Sequence, residues 1–147
     1  MFINSCSNDD NLLIEDQNIK EICADDLDMI VLPGGWGGTH KLAQDQNLQT
    51  LLQQMNEKKK FISAICAAPF ALNSAGVLSQ NYTCYPSVEE QIRKEGYSCK
   101  EMVVEDGNII TSRGPATAMC FALYLVEKLC GKEKSQALKE GLLATYC

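Results

Sequence analysis

Among the eight cysteines of the chain, Cys66 alone stands between a predicted buried strand and the start of a predicted helix. Phe61-Ile62-Ser63-Ala64-Ile65 ends directly before it, and Ala67, Ala68, Phe70, Ala71 and Leu72 follow it with helical character. A residue at so sharp a strand-to-helix turn is forced into strained backbone geometry. Small neighbours make room for it, as Ala64, Ala67 and Ala68 do here; this is the logic of a nucleophile elbow. Free N–H groups and the helix dipole favour a thiolate at such a place. The amide of Ala67 and an amide of the Gly34-Gly35 loop are placed to meet on one oxygen, as an oxyanion hole. The chemistry would be thiolate attack on a carbonyl carbon. The same spacing also fits a buried thiol acting as a small hydrophobe, because such turns are common in α/β proteins.

The other cysteines (Cys6, Cys23, Cys84, Cys99, Cys120, Cys130 and Cys147) are scattered, with no C-x-x-C pair. That spacing excludes zinc ribbons and thioredoxin motifs. Free thiols in a reducing cytosol are the expectation, most of them buried, with Cys84 in the core. No metal-ligand cluster is visible, so no metal is expected. The Gly34 to Gly38 stretch is too irregular for a dinucleotide fingerprint and no phosphate-binding G-x-x-x-x-G-K occurs, so no nucleotide cofactor is expected either. The single histidine, His40, follows the glycine-rich loop and reads as an exposed residue near a helix start. Three further residues are pocket candidates, each with a plainer alternative. Arg113 would bind an anionic substrate, or would hydrogen-bond loop carbonyls and hold the Gly114-Pro115 turn. Tyr85 would donate a proton, or form an aromatic wall. Trp36 would shield the pocket, or make a surface contact between two copies.

These residues need a scaffold, and the pattern supplies one. Met29-Ile30-Val31-Leu32 is a short β-branched run ended by Pro33-Gly34-Gly35, the mark of a buried parallel strand. Gly37, Gly38 and Thr39 extend the loop. Leu48, Leu51, Leu52 and Met55 recur at helical spacing, with Asp45 as the N-cap and Lys58-Lys59-Lys60 at the C-terminus. Tyr82 to Tyr85 reads as a short strand and Pro86 to Lys94 as a polar helix. Met102-Val103-Val104 and Asn108 to Thr111 flank Asp106-Gly107, which predicts a hairpin with a type I′ turn. Pro115 opens a helix that stops at Gly131, and a last amphipathic helix covers Lys132 to Thr145. Strands alternating with helices predict an α/β domain with a mainly parallel sheet, whose site lies beyond the carboxyl ends of the strands.

Composition narrows the function classes. The 147 residues are 46% hydrophobic and 22% charged, which fits one globular domain over 1–147. The net charge of −6, with no basic patch, argues against nucleic-acid binding. Residues 1–28 hold eight acids against Lys20 alone, so the other eleven of 19 acids face twelve of 13 bases and the body is near neutral. The longest apolar runs, such as Met29 to Leu32 and Phe121 to Val126, are far short of the roughly 20 residues of a membrane span. No leader peptide is evident, so a cytoplasmic location is expected.

Three motifs in register carry a resemblance. Pro33-Gly34-Gly35, Ala64-Ile65-Cys66-Ala67-Ala68-Pro69, and Thr111-Ser112-Arg113-Gly114-Pro115 with Thr117 have the order and spacing of the ThiJ/PfpI superfamily. The chain most resembles its DJ-one/YajL branch, from about Asp28 to Gly131 (the core 28–131), with 1–27 acidic and weakly matched. The resemblance implies a flavodoxin-like fold, akin to class I glutamine amidotransferases, and a homodimer. It implies that Cys66 is the functional cysteine and that the Gly35 and Ala67 amides are the oxyanion donors. It implies cofactor-free glyoxalase or deglycase chemistry on methylglyoxal, glyoxal or their adducts on thiols and amines. The alternative it carries is a non-catalytic oxidative-stress sensor or redox-regulated chaperone that uses Cys66. Cys6 loosely resembles an interface cysteine of the family.

Two departures from the family pattern set further expectations. Relatives begin with a strand and helix bearing a glutamate that hydrogen-bonds the nucleophilic sulfur, and Asp9, Asp10, Glu15 and Asp16 do not match it. The chain therefore reads as N-terminally incomplete, with weakened catalysis and an uncovered sheet edge beside Met29 to Leu32. Relatives also often carry a histidine near the cysteine, where this chain has Ala67 or Tyr85.

Overall fold

The computed structural model describes residues 2–3 and 18–147; Cys6, Asp9, Asp10, Glu15 and Asp16 lie outside them. Five strands form one sheet in the order β1-β2-β3-β5-β4. They are β1 (Phe2–Ile3), β2 (Met29–Leu32), β3 (Phe61–Ile65), β4 (Val103–Asp106) and β5 (Ile109–Ser112). The central β2, β3 and β5 run parallel, with Ile30 opposite Ile62 and Ala64 opposite Thr111. Beside β2, where an uncovered edge was expected, β1 pairs antiparallel over two residues, Phe2 with Ile30 and Ile3 with Met29. This is the α/β, flavodoxin-like arrangement, with a parallel centre and antiparallel edges.

Helices cover both faces. α1 (Trp36–Gln44) and α2 (Gln46–Glu57) cross from β2 to β3. The Asp45 carboxylate caps α2 by accepting from the Asn47 and Leu48 N–H groups. The four helically spaced apolar residues of α2 are all buried against Ile30, Leu32, Ile62 and Ala64. A Schellman motif ends α2: the Lys60 N–H reaches the Met55 carbonyl at 2.9 Å and Lys59 takes a positive φ of 57°. The other sheet face packs Met29 and Ile110 on Phe121 and Leu125 of α5 (Ala118–Cys130). α6 (Lys132–Gly141) packs on α5, where the Ser135 hydroxyl donates to the Leu123 carbonyl at 2.8 Å. Among the described residues no helix is long and apolar enough to cross a membrane.

Several local expectations are corrected. The residues read as a glycine-rich loop at 37–39 are the first turns of α1. Tyr82 to Tyr85 makes one isolated bridge, Tyr82 with Tyr97, because only that residue finds a partner strand. The polar helix shrinks to α4 (Glu89–Ile92), and α6 ends at Gly141. The hairpin exists, but its two loop residues are Gly107 and Asn108, with Asp106 paired to Ile109. Only Gly107 of that pair has positive φ, the sign pattern of a type II′ turn.

The largest correction concerns the thiols. Cys120 and Cys147 form a disulfide, and Cys130 is likewise disulfide-bonded. Cys23, Cys66, Cys84 and Cys99 are free, and two of these, Cys23 and Cys99, are exposed. Scattered spacing did not exclude bridges, because α5 and the C-terminal segment are brought together only by the packing of α6. The Cys120–Cys147 bridge closes a loop of 27 residues. Such a loop is worth about 3–4 kcal/mol in the chain-entropy model. Cys147→Ser is therefore expected to lower stability by about that amount in urea unfolding under oxidising conditions. Dithiothreitol should erase the difference; a difference that persists in the reduced proteins would contradict the assignment.

A second lock ties α5 to β4. Lys128 Nζ lies 2.6 Å from Glu105 Oε2, the Tyr124 hydroxyl donates to the same oxygen, and the ammonium sits 5.2 Å from the Tyr124 ring centre. Burial alone would raise the Glu105 carboxyl; the hydrogen bonds from Lys128 and Tyr124 outweigh it and hold the group below the ordinary value of 4.5. Because the folded value is depressed, this contribution to stability is complete above the unfolded value and is lost as pH falls through the folded one. Lys128→Met should move the midpoint of acid unfolding to higher pH in a circular-dichroism titration, and an unchanged midpoint would show that the pair contributes nothing.

Candidate active site

Cys66 ends β3 at the carboxyl edge of the sheet, with φ of 66°. That left-handed conformation is costly for a residue with a side chain and persists only where the surroundings impose it. They do so through both backbone groups. The Cys66 N–H donates to the Ser112 carbonyl at 3.0 Å, and the Cys66 carbonyl accepts from the Tyr85 N–H at 2.9 Å. The turn tightens at once, as the Ala68 N–H returns to the Ile65 carbonyl at 3.2 Å. α3 (Pro69–Ser74) then begins with a proline, which needs no N–H partner in the first turn.

The Gly34-Gly35 loop closes on the thiol from β2. A side chain at Gly34 would place its Cβ 2.6 Å from Cys66 Cβ and 3.1 Å from Sγ, so only glycine fits. Gly35, at φ of 93°, is the N-cap of α1. Among the described residues the Gly35 and Ala67 N–H groups make no hydrogen bond, which leaves both able to meet an oxygen. On the opposite side the Tyr85 ring lies over Gly114, where an added Cβ would meet Tyr85 Cδ2 at 3.1 Å. Tyr85 is 49% exposed, and its N–H binds the Cys66 carbonyl.

Arg113 directly follows Ser112, the residue whose carbonyl accepts from the Cys66 N–H. Hydroxyl groups hold the turn beside it. Thr117 Oγ1 accepts from the Gly114 N–H at 3.1 Å and lies 2.7 Å from the Ser112 hydroxyl, which donates to the Met102 carbonyl at 2.8 Å. Among the described residues Arg113 Nε is a buried atom with no hydrogen-bond partner, and so is Glu89 Oε2 of α4. The two charges act on the same neighbours. Burial pushes the Cys84 thiol up to about 12, with the Glu89 charge adding to it. Burial also raises the Tyr97 hydroxyl, again reinforced by Glu89 and opposed by Arg113. Cys84 is thus a neutral thiol at physiological pH, unlike a nucleophile.

The structure brings Gly34 and Tyr85 against Cys66, with Gly35, Ala67 and Arg113 adjacent to these residues in the chain. Trp36 and Phe70 pack on the same apolar cluster as Cys66. His40 is exposed and stacks on Trp36. Glu89 and Phe70 escaped the reading of the sequence. Phe70 carried a signal in its helical spacing of four from Cys66; Glu89 carried none, because its placement depends on where Tyr82 to Val88 folds.

The family model described as DJ-1/PfpI family matches residues 4–128. Protein dj-1beta of Drosophila melanogaster is 42% identical over 143 residues, which are 96% of this chain and 76% of that protein. A protein of Schizosaccharomyces pombe named glutathione-independent glyoxalase DJ-1 is 35% identical over 133 residues, 86% of this chain and 70% of its own length. The crystal structure of Drosophila melanogaster DJ-1beta superposes with a TM-score of 0.78 at 45% identity, over 82% of this chain and 66% of that one. Schizosaccharomyces pombe DJ-1 superposes with a TM-score of 0.72 at 34% identity, and again 66% of its chain is covered.

The Gly34 contact makes a direct prediction. Gly34→Ala must push the loop or the thiol by several tenths of an ångström, and overpacking of this kind costs about 1–3 kcal/mol. The variant should unfold at lower denaturant and its Cys66 should alkylate at a changed rate. Wild-type values for both would mean that the space beside Cys66 admits a Cβ at Gly34 after all.

Proposed function

The chain belongs to the DJ-1/PfpI family, and on that premise we propose that it is a cysteine-dependent, cofactor-free glyoxalase or deglycase-like protein. Its substrates would be methylglyoxal, glyoxal or their adducts on thiols and amines. The observation that carries the reading is the strained Cys66, pinned through both backbone groups beside two unengaged amides. Relatives named glutathione-independent glyoxalase support it.

In this scheme the Cys66 thiolate adds to the aldehyde carbon. The new oxyanion is met by the Gly35 and Ala67 N–H groups and takes up a proton to give a hemithioacetal. The proton on C1 then moves to C2, which turns the adduct into a thioester of the 2-hydroxy acid. Water cleaves the thioester to lactate from methylglyoxal, or glycolate from glyoxal, and restores the thiol. Tyr85 walls the substrate and Arg113 borders it. The full reading includes a homodimer in the cytoplasm, where the oxidation state of Cys120 and Cys147 becomes a quantity to measure.

One observation favours a second reading. Among the described residues the thiol that donates to a carboxylate is Cys23, to Asp25, and no carboxylate is hydrogen-bonded to the Cys66 sulfur. Proton transfer by a placed acid–base group is worth typically 10²–10⁴-fold. A redox sensor or redox-regulated chaperone needs no such group, since peroxide takes an exposed thiolate to sulfenic and sulfinic acid directly.

Lactate formed from methylglyoxal by the full chain, assayed by chromatography after dialysis against EDTA, separates the two. Turnover that falls to background in Cys66→Ser supports the enzyme. Absence of turnover, with peroxide oxidising Cys66 first, supports the sensor. Under either reading, brief sub-stoichiometric iodoacetamide should label Cys66 before Cys23, Cys84 or Cys99; a first label on buried Cys84 would remove the basis of both.

A further inference from the structure

We propose that Trp36, Phe70 and His40 form an aromatic shelf beside Cys66 that takes the planar substituent of an aryl 2-oxoaldehyde, in preference to a methyl group. This inference rests on the reading of Cys66 as the nucleophile and names the substrate class for it.

The shelf is built by the two loops that carry the oxyanion amides. Trp36 is the residue after Gly35 and opens α1; Phe70 stands four residues after Cys66 in the first turn of α3. Their ring centres are 5.7 Å apart and meet edge to face at 69°. His40, one turn along α1, stacks on Trp36 at 5.1 Å and 22°, and meets Phe70 edge to face at 5.5 Å. Three rings thus brace one another in the seam between α1 and α3. Trp36 and Phe70 pack on the cluster formed by Ala67, Tyr82, Cys84 and Val88, on which Cys66 also packs.

Both rings are only half-buried, and His40 is exposed. Rings held in place by neighbours, with part of their surface still in water, lose little freedom when a further ring is added. The Gly34 contact puts the start of this seam against the Cys66 sulfur. Because Cys66, Trp36 and Phe70 pack on one cluster, in this proposal the substituent of an aldehyde carbon at Cys66 is set against the shelf. A methyl group gains little from such a wall, whereas a phenyl ring stacks on it.

Trp36 is the single tryptophan of the chain, so its emission reports the shelf directly. Phenylglyoxal, by isomerisation and addition of water, yields mandelate as methylglyoxal yields lactate. Titration of the full chain with mandelate should give a saturable change in tryptophan emission, and lactate at the same concentrations should give none. In initial-rate assays kcat/KM for phenylglyoxal should exceed that for methylglyoxal by about tenfold, the usual scale for an aromatic contact. The ratio should collapse toward one in Trp36→Ala and be kept in Trp36→Phe. Equal emission responses to mandelate and lactate, or a ratio unchanged in Trp36→Ala, would overturn the proposal. Should neither aldehyde be turned over, the glyoxalase reading falls, while the mandelate titration of the unaltered chain still decides the shelf.

Discussion

Cys66 has no conformational choice. Its N–H is bound to β5 through Ser112, its carbonyl is bound to the segment at Tyr85, and its φ lies in the left-handed region. Two hydrogen bonds from a strand neighbour and from a loop are what hold a non-glycine residue there, because an unpaired buried backbone group costs about as much as the strain. Everything else near the thiol follows from that pinning. Gly34 must be glycine, since the sulfur and Cβ occupy the space of a side chain. Among the described residues the Ala67 amide makes no hydrogen bond, since the chain turns before an α-helical one can use it.

The thiols show how little the residue type alone says. Cys84 and Cys66 pack in one cluster, but Cys84 is fully enclosed and its ionisation is pushed far up by burial. Cys23 and Cys99 are accessible, the Cys23 thiol donating to the Asp25 carboxylate, and Cys120 is consumed in a disulfide. Backbone geometry and neighbouring amides, rather than exposure, set Cys66 apart.

The surroundings of the site are unevenly satisfied. Ser112, Gly114 and Thr117 form a closed set of hydrogen bonds that positions the segment after β5. Arg113 and Glu89, by contrast, each keep one buried polar atom without a partner among the described residues. Groups of this kind are expensive in a folded protein and concentrate where a ligand or water completes them. Both charges act on the Cys84 thiol, which lies in the cluster on which Cys66 packs.

The α/β class, the order of elements and the position of Cys66 were legible in the sequence because they are local. Four apolar residues of one helix face bury four positions of α2, and a β-branched run followed by Pro33-Gly34-Gly35 marks the end of β2 whatever lies around it. The hairpin was legible too, but its register was off by one residue, since Asp106 is fixed by pairing with Ile109 across the sheet. The helix that begins at Trp36 was hidden by two glycines whose weak propensity is overridden by packing of α1 on α3. Tertiary structure alone decided the disulfide, the aromatic contacts of Trp36 with Phe70, and the approach of Glu89 and Arg113 to one set of neighbours. Each joins residues far apart in the chain, and their closeness arises from the sum of many packing contacts, which no short window of sequence contains.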